Sequence, residues 1–318
     1  MNFIHLKLLL FLVFMGQSVG SDAQPTSDQP GHYVVRMGAT QVIALSDGTV
    51  PISATELLHG DESNTVQRLL RRAYLSNPVE ISINTFLIQS GGRLILIDAG
   101  SGELFGPAHG GKLINSMKTA GFDPKAVTDV LITHVYRDHS GGLSRQGKPL
   151  FPNATVHINQ KEIDYWRNYV VENKEESSSI SANGPVFLAL KPYVDAGKVK
   201  TFTGDREVVA GIKTMEITGH IPGHTVFVLE SEGEKMVFWG DLIHIAAVQL
   251  HQPSMANEFD FDQKRAARQR IKAYNEAAQA GYLIAADHIS FPGIGRIGRQ
   301  GNTFTWIPVP YSLSGCVR

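Results

Sequence analysis

THVYRDHSGG, residues 133–142, has the most specific pattern of residues in this chain. It follows Val130-Leu131-Ile132, an apolar run that predicts a buried strand. Two imidazoles and a carboxylate, from His134, Asp138 and His139, then fall within six residues. Histidine and aspartate are common metal ligands, and a loop held by a rigid strand can fix them in place. The stretch therefore predicts a metal site at the end of a strand.

Three later segments supply further candidate ligands, each on a short loop beside a predicted strand. They are His224 in Pro222-Gly223-His224, Asp241 in Gly240-Asp241, and His288 after the apolar run 282–286. Hydrolysis at two metal ions needs imidazoles, a carboxylate that bridges the ions and an open position for water. One histidine near a strand end is more often structural, but several such segments together predict a dinuclear centre. Asp98, which ends the apolar run 94–97, would either orient a ligand or cap a turn.

Length, composition and charge limit the kind of protein. The chain has 318 residues, of which 42% are hydrophobic, with 31 glycines and 15 prolines. These values favour a folded globular protein over a disordered or fibrous one. A formal net charge of -1 gives no basic footprint for nucleic acid or for an anionic membrane. Because the chain has one cysteine, Cys316, neither an intramolecular disulfide nor a cysteine-based zinc finger is possible.

The first 23 residues have the pattern of a secretory signal peptide. Lys7 precedes an apolar run over residues 8–15, and small and polar residues follow it. Cleavage after Ala23 or after Gly20 would fit, and the apolar run is too short to span a bilayer. A frayed N-terminal helix is the alternative. We therefore expect an exported protein, periplasmic or secreted, in which residues 24–318 form a single domain.

The remaining sequence predicts strands in two batches, each followed by helices. Two β-rich runs flank Gly91 and Gly92, which predicts a hairpin. Helical spacing of apolar residues predicts helices over 64–75, 112–120, 161–169, 187–196 and 261–280. Residues 172–185 are polar and serine-rich, which is typical of a mobile loop. Two β-rich units packed sheet on sheet, with helices outside, predict a four-layer α/β sandwich.

These motifs resemble those of the metallo-β-lactamase superfamily and, within it, of the methyl parathion hydrolase-like branch. Residues 133–142 match the motif His-x-His-x-Asp-His, with Tyr136 where the second histidine would stand. The likeness runs over essentially the whole mature chain. Six supporting segments together indicate the branch, namely 43–49, 104–107, 219–225, 246–249, 282–286 and 291–295. The resemblance implies the αββα metallo-β-lactamase sandwich, a homodimer, and a secreted hydrolase of organophosphate triesters, aryl esters or lactones.

The resemblance also implies a metal centre with two divalent ions. The first ion would take His134, the residue at 136, His224 and Asp241, and the second would take Asp138, His139, Asp241 and His288. A metal-bound hydroxide would attack a small-molecule ester, with Asp138 and Asp241 as catalytic carboxylates and Asp98 orienting a ligand. Zinc is the expected metal, with iron, manganese and cobalt as alternatives.

Other side chains near the motifs have less specific roles. Phe105 and Trp166 match aromatic positions of the family's substrate pocket, and core packing is the alternative for both. His220, His244 and His251 match no ligand position. We therefore expect these three histidines to be structural or to lie at the rim of the site.

Tyr136 leaves three outcomes open. A phenol has a pKa near 10 and is a poor ligand while neutral, but beside a divalent ion it could ionise and bind. Otherwise the first site would be weak and one ion would do the work, or the protein would have lost catalysis. The leading interpretation is an exported metal-dependent ester hydrolase. The alternatives are a weakly active or non-catalytic metal-binding protein, and a β-lactamase or thioesterase of the same superfamily.

Overall fold

The computed structural model describes residues 29–60, 64–172 and 184–316. The expected signal peptide over residues 1–23 lies outside the described residues, and so do residues 173–183 of the expected serine-rich loop. Within the described ranges, no helix combines the length and the apolar character that a membrane span requires.

Seven strands form the first sheet, and each strand pairs with the next one in the sequence. They are β1 (His32–Met37), β2 (Thr40–Ile52), β3 (Val79–Ser90), β4 (Arg93–Ile97), β5 (Asp129–Leu131), β6 (Thr155–Asn159) and β7 (Val199–Phe202). Strands β1 to β4 are antiparallel, and β4 to β7 are parallel. The predicted hairpin joins β3 to β4, where positive φ angles at Gly91 and Gly92 allow the tight turn.

The second sheet also has seven strands in sequence order. They are β8 (Glu207–Val209), β9 (Ile212–Glu216), β10 (Thr225–Ser231), β11 (Glu234–Phe238), β12 (Leu283–Ala285), β13 (Ile294–Gln300) and β14 (Thr303–Pro308). Among these seven described strands, only β11 and β12 pair in parallel. Two small ladders lie outside these sheets and pair Leu58–His59 with Ala256–Asn257 and Ser144–Arg145 with Lys148–Pro149.

Eight α-helices lie in the described ranges, and they include all five helices that the sequence predicts. They are α1 (Ala54–Leu57), α2 (Thr65–Arg72), α3 (Leu113–Thr119), α4 (Arg137–Ser140), α5 (Gln160–Glu172), α6 (Gly184–Asp195), α7 (Ala246–Gln249) and α8 (Gln263–Ala280). The Asp262 side chain accepts a hydrogen bond from the Arg265 amide and begins α8, and Gly281 ends it with a positive φ. Short 3-10 helices span Gly102–Phe105, Pro124–Ala126, Gly141–Leu143 and Gly240–Leu242.

Apolar packing arranges these elements in four layers. Between the sheets, Phe86 of β3 meets Phe238 of β11 with ring centroids 5.6 Å apart. The outer face of the first sheet packs against α3, α5 and α6, through side chains such as Met117 and Trp166. The outer face of the second sheet packs against α8 through Tyr274. The predicted four-layer αββα sandwich is therefore confirmed.

A buried carboxylate at the start of β5, paired with the partly exposed Arg93, gives the fold a testable pH dependence. Burial opposes ionisation of Asp129, but hydrogen bonds from His157, Thr128 and Arg93 outweigh it and lower the pKa of Asp129 to about 2. Because the folded pKa lies below the ordinary value, the stabilisation is present above about pH 4 and is lost as the pH falls through about 2.

We expect Asp129→Asn to lower the free energy of unfolding by about 1–2 kcal/mol near neutral pH, after allowance for solvent screening around Arg93. The loss should shrink at about pH 3, because Asp129 in the unfolded wild-type chain, with its ordinary pKa of about 4, is by then mostly protonated. Urea unfolding at both pH values measures the difference. Asp195→Asn is the control, because its ion pair with Lys191 is exposed. An equal loss at both pH values would contradict the assignment.

Candidate metal centre

The predicted ligands meet at one edge of the two sheets, where several strands end together. Asp98 follows β4, residues 134–139 follow β5, Asp241 follows β11 and His288 follows β12, while His224 immediately precedes β10. Backbone hydrogen bonds join the two sheets at this edge, from the Thr225 amide to the Thr133 carbonyl (2.9 Å) and from the Asn84 amide to the Asp287 carbonyl (2.9 Å). Residues far apart in the sequence thus share one rigid site.

Asp241 lies at the middle of the cluster, and its two oxygens face different groups. Oδ1 lies 3.0 Å from His139 Nε2 and 3.0 Å from His288 Nε2. Asp138 completes this side, with oxygens 3.9 Å from His139 Nε2 and 3.6 Å from His288 Nε2. We call these residues the Oδ1 half. The structure brings together all four residues expected at the second ion.

The other oxygen of Asp241 faces a set of histidines that the sequence did not predict in full. Oδ2 lies 3.5 Å from His134 Nε2, 3.2 Å from His220 Nε2 and 3.1 Å from His244 Nε2. We call these residues, with Asp241, the Oδ2 half. His220 and His244 are buried, so of the two expected placements, structural or at the rim, the structure excludes the rim for both. His251 belongs to neither half.

His224 and Tyr136, both expected at the first ion, are placed differently. His224 Nε2 accepts a hydrogen bond from the Asp241 backbone amide (3.1 Å), and its Nδ1 donates to the Ile217 carbonyl (3.1 Å). The Tyr136 ring packs edge-on against His134, with centroids 4.7 Å apart, but its hydroxyl donates to the Phe259 carbonyl (3.4 Å). Burial raises the pKa of Tyr136 above its ordinary value of 10.0, which favours the neutral phenol.

Second contacts of the imidazoles determine which ring nitrogen carries the proton. His139 Nδ1 donates to Asp98 Oδ2 (2.8 Å), His288 Nδ1 donates to the Ser82 carbonyl (2.8 Å), and His134 Nδ1 donates to Thr133 Oγ1 (3.1 Å). In the neutral form that binds a metal, each of these rings therefore holds its hydrogen on Nδ1 and presents the lone pair of Nε2 towards Asp241. Such contacts orient metal-binding histidines and raise their basicity.

The charges of the centre shift its pKa values strongly. Burial opposes the charge of Asp241, yet His139 and His288 hold the pKa of Asp241 well below its ordinary value. Burial also opposes protonation of His288, but Asp241 outweighs it and raises the pKa of His288 to about 9. His224 differs, because burial and the neighbouring His220 lower its pKa to about 4. The protonation of each side chain in the centre thus depends on its neighbours, as expected for groups that bind a cation.

Buried polar atoms without a hydrogen-bond partner indicate whether the centre suits a metal ion. Four buried atoms that converge here have no hydrogen-bond partner among the described residues, namely His134 Nε2, His139 Nε2, His220 Nε2 and Asp241 Oδ1. Unpaired buried polar atoms are rare in folded proteins and call for an explanation such as a bound ion. Imidazoles and carboxylates suit zinc and similar divalent ions. The residues present therefore fit a divalent metal.

Glu162 on α5 ties the two metal-binding loops together. Its Oε2 accepts a hydrogen bond from the Val135 amide (2.9 Å), and its Oε1 accepts one from the Gly223 amide (3.0 Å). Burial outweighs these two donors and raises the pKa of Glu162 to about 7. Sequence reasoning missed this residue, because its helical spacing gives no sign that it faces both loops.

A cavity of about 250 Å³ opens above Asp138, Asp241 and His288. Its other lining residues are Val50, Ile52, Ile81, Ile83, Phe105, Tyr136, Arg137, His244 and Phe259. Phe105 thus lies where the pocket expectation placed it. Trp166 does not line this cavity, because it packs in the core behind Tyr136, with ring centroids 5.8 Å apart. Core packing, the alternative for Trp166, is what the structure shows.

Two solved structures resemble this chain over most of its length. The crystal structure of hydrolase AbOPH in the beta lactamase superfamily matches with a TM-score of 0.85 and 33% identity, over 90% of this chain and 100% of that chain. AidC, a dizinc quorum-quenching lactonase in complex with a product, N-hexnoyl-L-homoserine, matches with a TM-score of 0.77 and 25% identity. That match covers 89% of this chain and 98% of AidC.

Curated relatives match shorter segments at low identity. The atrochrysone carboxyl ACP thioesterase of Passalora fulva is 27% identical over 162 residues, which are 50% of this chain and 38% of the relative. The N-acyl homoserine lactonase of Bacillus thuringiensis is 23% identical over 121 residues, which are 38% of this chain and 40% of the relative. The matched segments thus span about two fifths of these relatives.

A family model described as the metallo-beta-lactamase superfamily matches residues 79–280. This range contains every expected metal ligand except His288 and includes both metal-binding loops. Together with the two-sheet sandwich and the clustered histidines, the match confirms the expected hydrolase superfamily. The chain belongs to the metallo-beta-lactamase superfamily.

Proposed function

We propose that this chain is a metal-dependent hydrolase of uncharged esters from the methyl parathion hydrolase-like branch. Its substrates would be organophosphate triesters, aryl esters or lactones. The observation that carries the proposal is the cavity itself, in which Asp138, Asp241 and His288 form the floor and mostly apolar side chains form the walls. Such a pocket combines an apolar binding surface with a few convergent polar groups, as small-molecule sites do.

The charge of the cavity favours an uncharged ester over a β-lactam. β-Lactam antibiotics carry a carboxylate, which a binding site commonly meets with a cation. Among the described lining residues, Arg137 is the only arginine or lysine. Its guanidinium donates to the Leu104 carbonyl and lies over the Phe105 ring, 5.1 Å from the centroid. One guanidinium nitrogen of Arg137 is thus engaged, so the described lining offers a substrate carboxylate a single, partly engaged cation.

Each part of the site has a role in this reaction. Divalent ions bound here would make a water acidic enough to attack at neutral pH and would polarise the ester oxygen. Asp138, His139 and His288 hold one side of the centre, and Asp241 reaches both sides. Ile81, Ile83 and Phe259 would hold the apolar substituent of the ester and exclude bulk water.

The relatives support this substrate class. AidC and the Bacillus thuringiensis enzyme are lactonases, which open a cyclic ester. The Passalora fulva relative is a thioesterase, so a thioester belongs in any test of substrates. We therefore place ester cleavage first and thioester cleavage second.

The decisive experiment combines metal content with turnover. Protein purified without added metal would be measured by elemental analysis, then loaded with zinc and tested on an aryl ester, a lactone, a phosphotriester, a thioester and a β-lactam. We expect bound divalent metal and turnover of at least one of the first three. Removal of metal by a chelator should abolish that turnover. No turnover of any of the three by the fully loaded protein would refute the proposal.

We also propose that the protein is exported. The support is the pattern of residues 1–23, in which Lys7 precedes the apolar run 8–15 and small and polar residues continue from there to Ala23. Expression of the full chain followed by N-terminal sequencing of the mature protein tests this. A mature chain that begins at about residue 21 or 24 is expected, and retention of Met1 in a cytoplasmic product would contradict it.

A further inference from the structure

We propose that His220 supplies the metal-binding imidazole of the Oδ2 half, in the place that the superfamily motif gives to residue 136, and that Asp260 orients it. The inference rests on the proposed metal-dependent function and deepens it. The first metal site, which lacks the second histidine of the motif, would then be rearranged and not lost. Its described donors would be His134, His220 and Asp241.

The Tyr136 hydroxyl is not directed at the Oδ2 half and so does not supply it with an oxygen ligand. Its hydroxyl points to the Phe259 carbonyl, while its ring lies edge-on to His134 and to His220, with centroids 4.7 Å and 5.2 Å away. The ring therefore fills space beside the two imidazoles. It supports them by packing, while the polar atom is used elsewhere.

His220 is placed as a ligand would be. Its Nε2 is buried, lies 3.2 Å from Asp241 Oδ2 and has no hydrogen-bond partner among the described residues. Its ring centroid is 4.9 Å from that of His134. Its ligand atom lies within 4.8 Å of those of Asp241 and His244, a separation at which side chains could hold a metal ion.

The proton of His220 lies on the opposite side of the ring. Its Nδ1 donates to Asp260 Oδ1 (3.0 Å), so the neutral ring presents the lone pair of Nε2 to the centre. Asp260 is itself held in place, because its Oδ2 accepts from the Asn257 amide (3.2 Å) and faces Arg270 (3.5 Å). Arg270 in turn donates to the Leu242 carbonyl, next to Asp241. A carboxylate behind an imidazole is a common support of a metal ligand.

His244 is equally close to Asp241 but carries its proton differently. Asn257 Oδ1 accepts from the Phe259 amide (2.8 Å), so the NH₂ group of Asn257 faces the His244 ring, with Nδ2 2.9 Å from Nδ1. The same Nδ2 lies 3.1 Å from Nε2, but Nε2 is also 3.1 Å from Asp241 Oδ2. The arrangement that satisfies all three groups has Nδ1 accepting from Asn257 and Nε2 donating to Asp241 Oδ2. His244 is thus a hydrogen-bond donor to Asp241, and His220 would be the ligand.

Four proteins test the inference through metal binding. Wild type, His220→Gln, Tyr136→Phe and His157→Gln would each be titrated with zinc, with bound metal measured by elemental analysis after dialysis. His157 is the matched control, since it is a buried histidine paired with a carboxylate, Asp129, outside the centre. We expect two ions in wild type, and a loss of affinity for one of them of about 100-fold or more in His220→Gln. Tyr136→Phe and His157→Gln should bind as wild type does.

An ultraviolet spectrum gives a second readout, which does not depend on the folding of His220→Gln. If Tyr136 bound zinc, titration would produce a tyrosinate band in the ultraviolet that is absent from Tyr136→Phe. We expect no such band. If circular dichroism shows that His220→Gln does not fold, Asp260→Asn takes its place. This variant should lower the affinity for one zinc ion by about 10–100-fold. A tyrosinate band, or two tightly bound ions in the folded His220 or Asp260 variant, would overturn the inference.

The outcomes also separate this inference from the proposed function. A wild type that binds no metal would refute the function, and with it the inference. A wild type that binds two ions and cleaves esters, while the folded His220→Gln variant still binds both, would refute only the role of His220.

Discussion

Asp241→Asn is expected to lower kcat/KM for ester hydrolysis by at least about a thousandfold, which corresponds to about 4 kcal/mol of lost transition-state stabilisation. The reason lies in its position, since Oδ1 contacts His139 and His288 while Oδ2 contacts His134 and His220. Asparagine has the same shape, but it lacks the negative charge and presents an NH₂ group to one set of imidazole lone pairs. Both halves should therefore lose affinity for metal.

Steady-state kinetics and elemental analysis of the same zinc-loaded sample measure the two effects together. Asp129→Asn is a matched control for activity, because Asp129 is also a buried carboxylate bonded to a histidine but lies outside the centre. Its folded fraction should keep the wild-type kcat/KM. If Asp241→Asn retained both ions and most of its activity, Asp241 would not be the group that links the halves.

The spacing of apolar residues predicted most strands and helices, but it did not predict strand β13. This omission has a physical reason. The strand Ile294–Gln300 contains two glycines and two arginines, so it lacks the alternating pattern of a strand. The structure explains Gly295, because a Cβ there would lie 2.5 Å from the Ile307 carbonyl oxygen on the paired strand β14. Close approach of two backbones thus selected a residue that weakens the sequence signal.

The metal centre was only partly predictable for a related reason. Asp138, His139, Asp241 and His288 occur in recognisable local motifs, and the structure brings them together. His220 and His244 belong to the same centre through contacts with Asp260 and Asn257, which lie far along the chain. The available signal was their spacing, since His220 precedes His224 by four residues and His244 follows Asp241 by three. Spacing alone does not tell which ring nitrogen faces an ion.

Asp98 is the second residue whose substitution should have a large effect, because it holds both the motif loop and a ligand. Its Oδ1 accepts from the Thr133 amide (2.8 Å), and its Oδ2 accepts from Thr133 Oγ1 (2.6 Å) and His139 Nδ1 (2.8 Å). We expect Asp98→Ala to lower the free energy of unfolding by about 3–5 kcal/mol, since buried donors lose their charged partner. Zinc affinity should fall by about 10–100-fold.

Asp98→Asn separates the two effects. Asp98 has a φ of 56°, a left-handed conformation that asparagine tolerates better than alanine, so the backbone should suffer less. Its carbonyl oxygen can still accept from Thr133, but its NH₂ group would face His139 Nδ1 and favour a proton on Nε2, where the lone pair is needed. We therefore expect a smaller loss of stability than in Asp98→Ala and a similar loss of zinc affinity. Urea unfolding and zinc titration measure these quantities, and unchanged zinc affinity in both variants would contradict the role of Asp98.

Asp287 makes the Asp98 experiment sharper, because it offers His139 a second carboxylate. Its Oδ2 lies 3.3 Å from His139 Nδ1, and burial, with the charge of Asp98 adding to it, raises the pKa of Asp287 to about 8. At neutral pH Asp287 is therefore mostly protonated. Loss of the Asp98 charge in Asp98→Asn would let Asp287 ionise and partly replace it. The double variant Asp98→Asn/Asp287→Asn should then lose more zinc affinity than the two single losses added together, and simple additivity would show that Asp287 gives no such support.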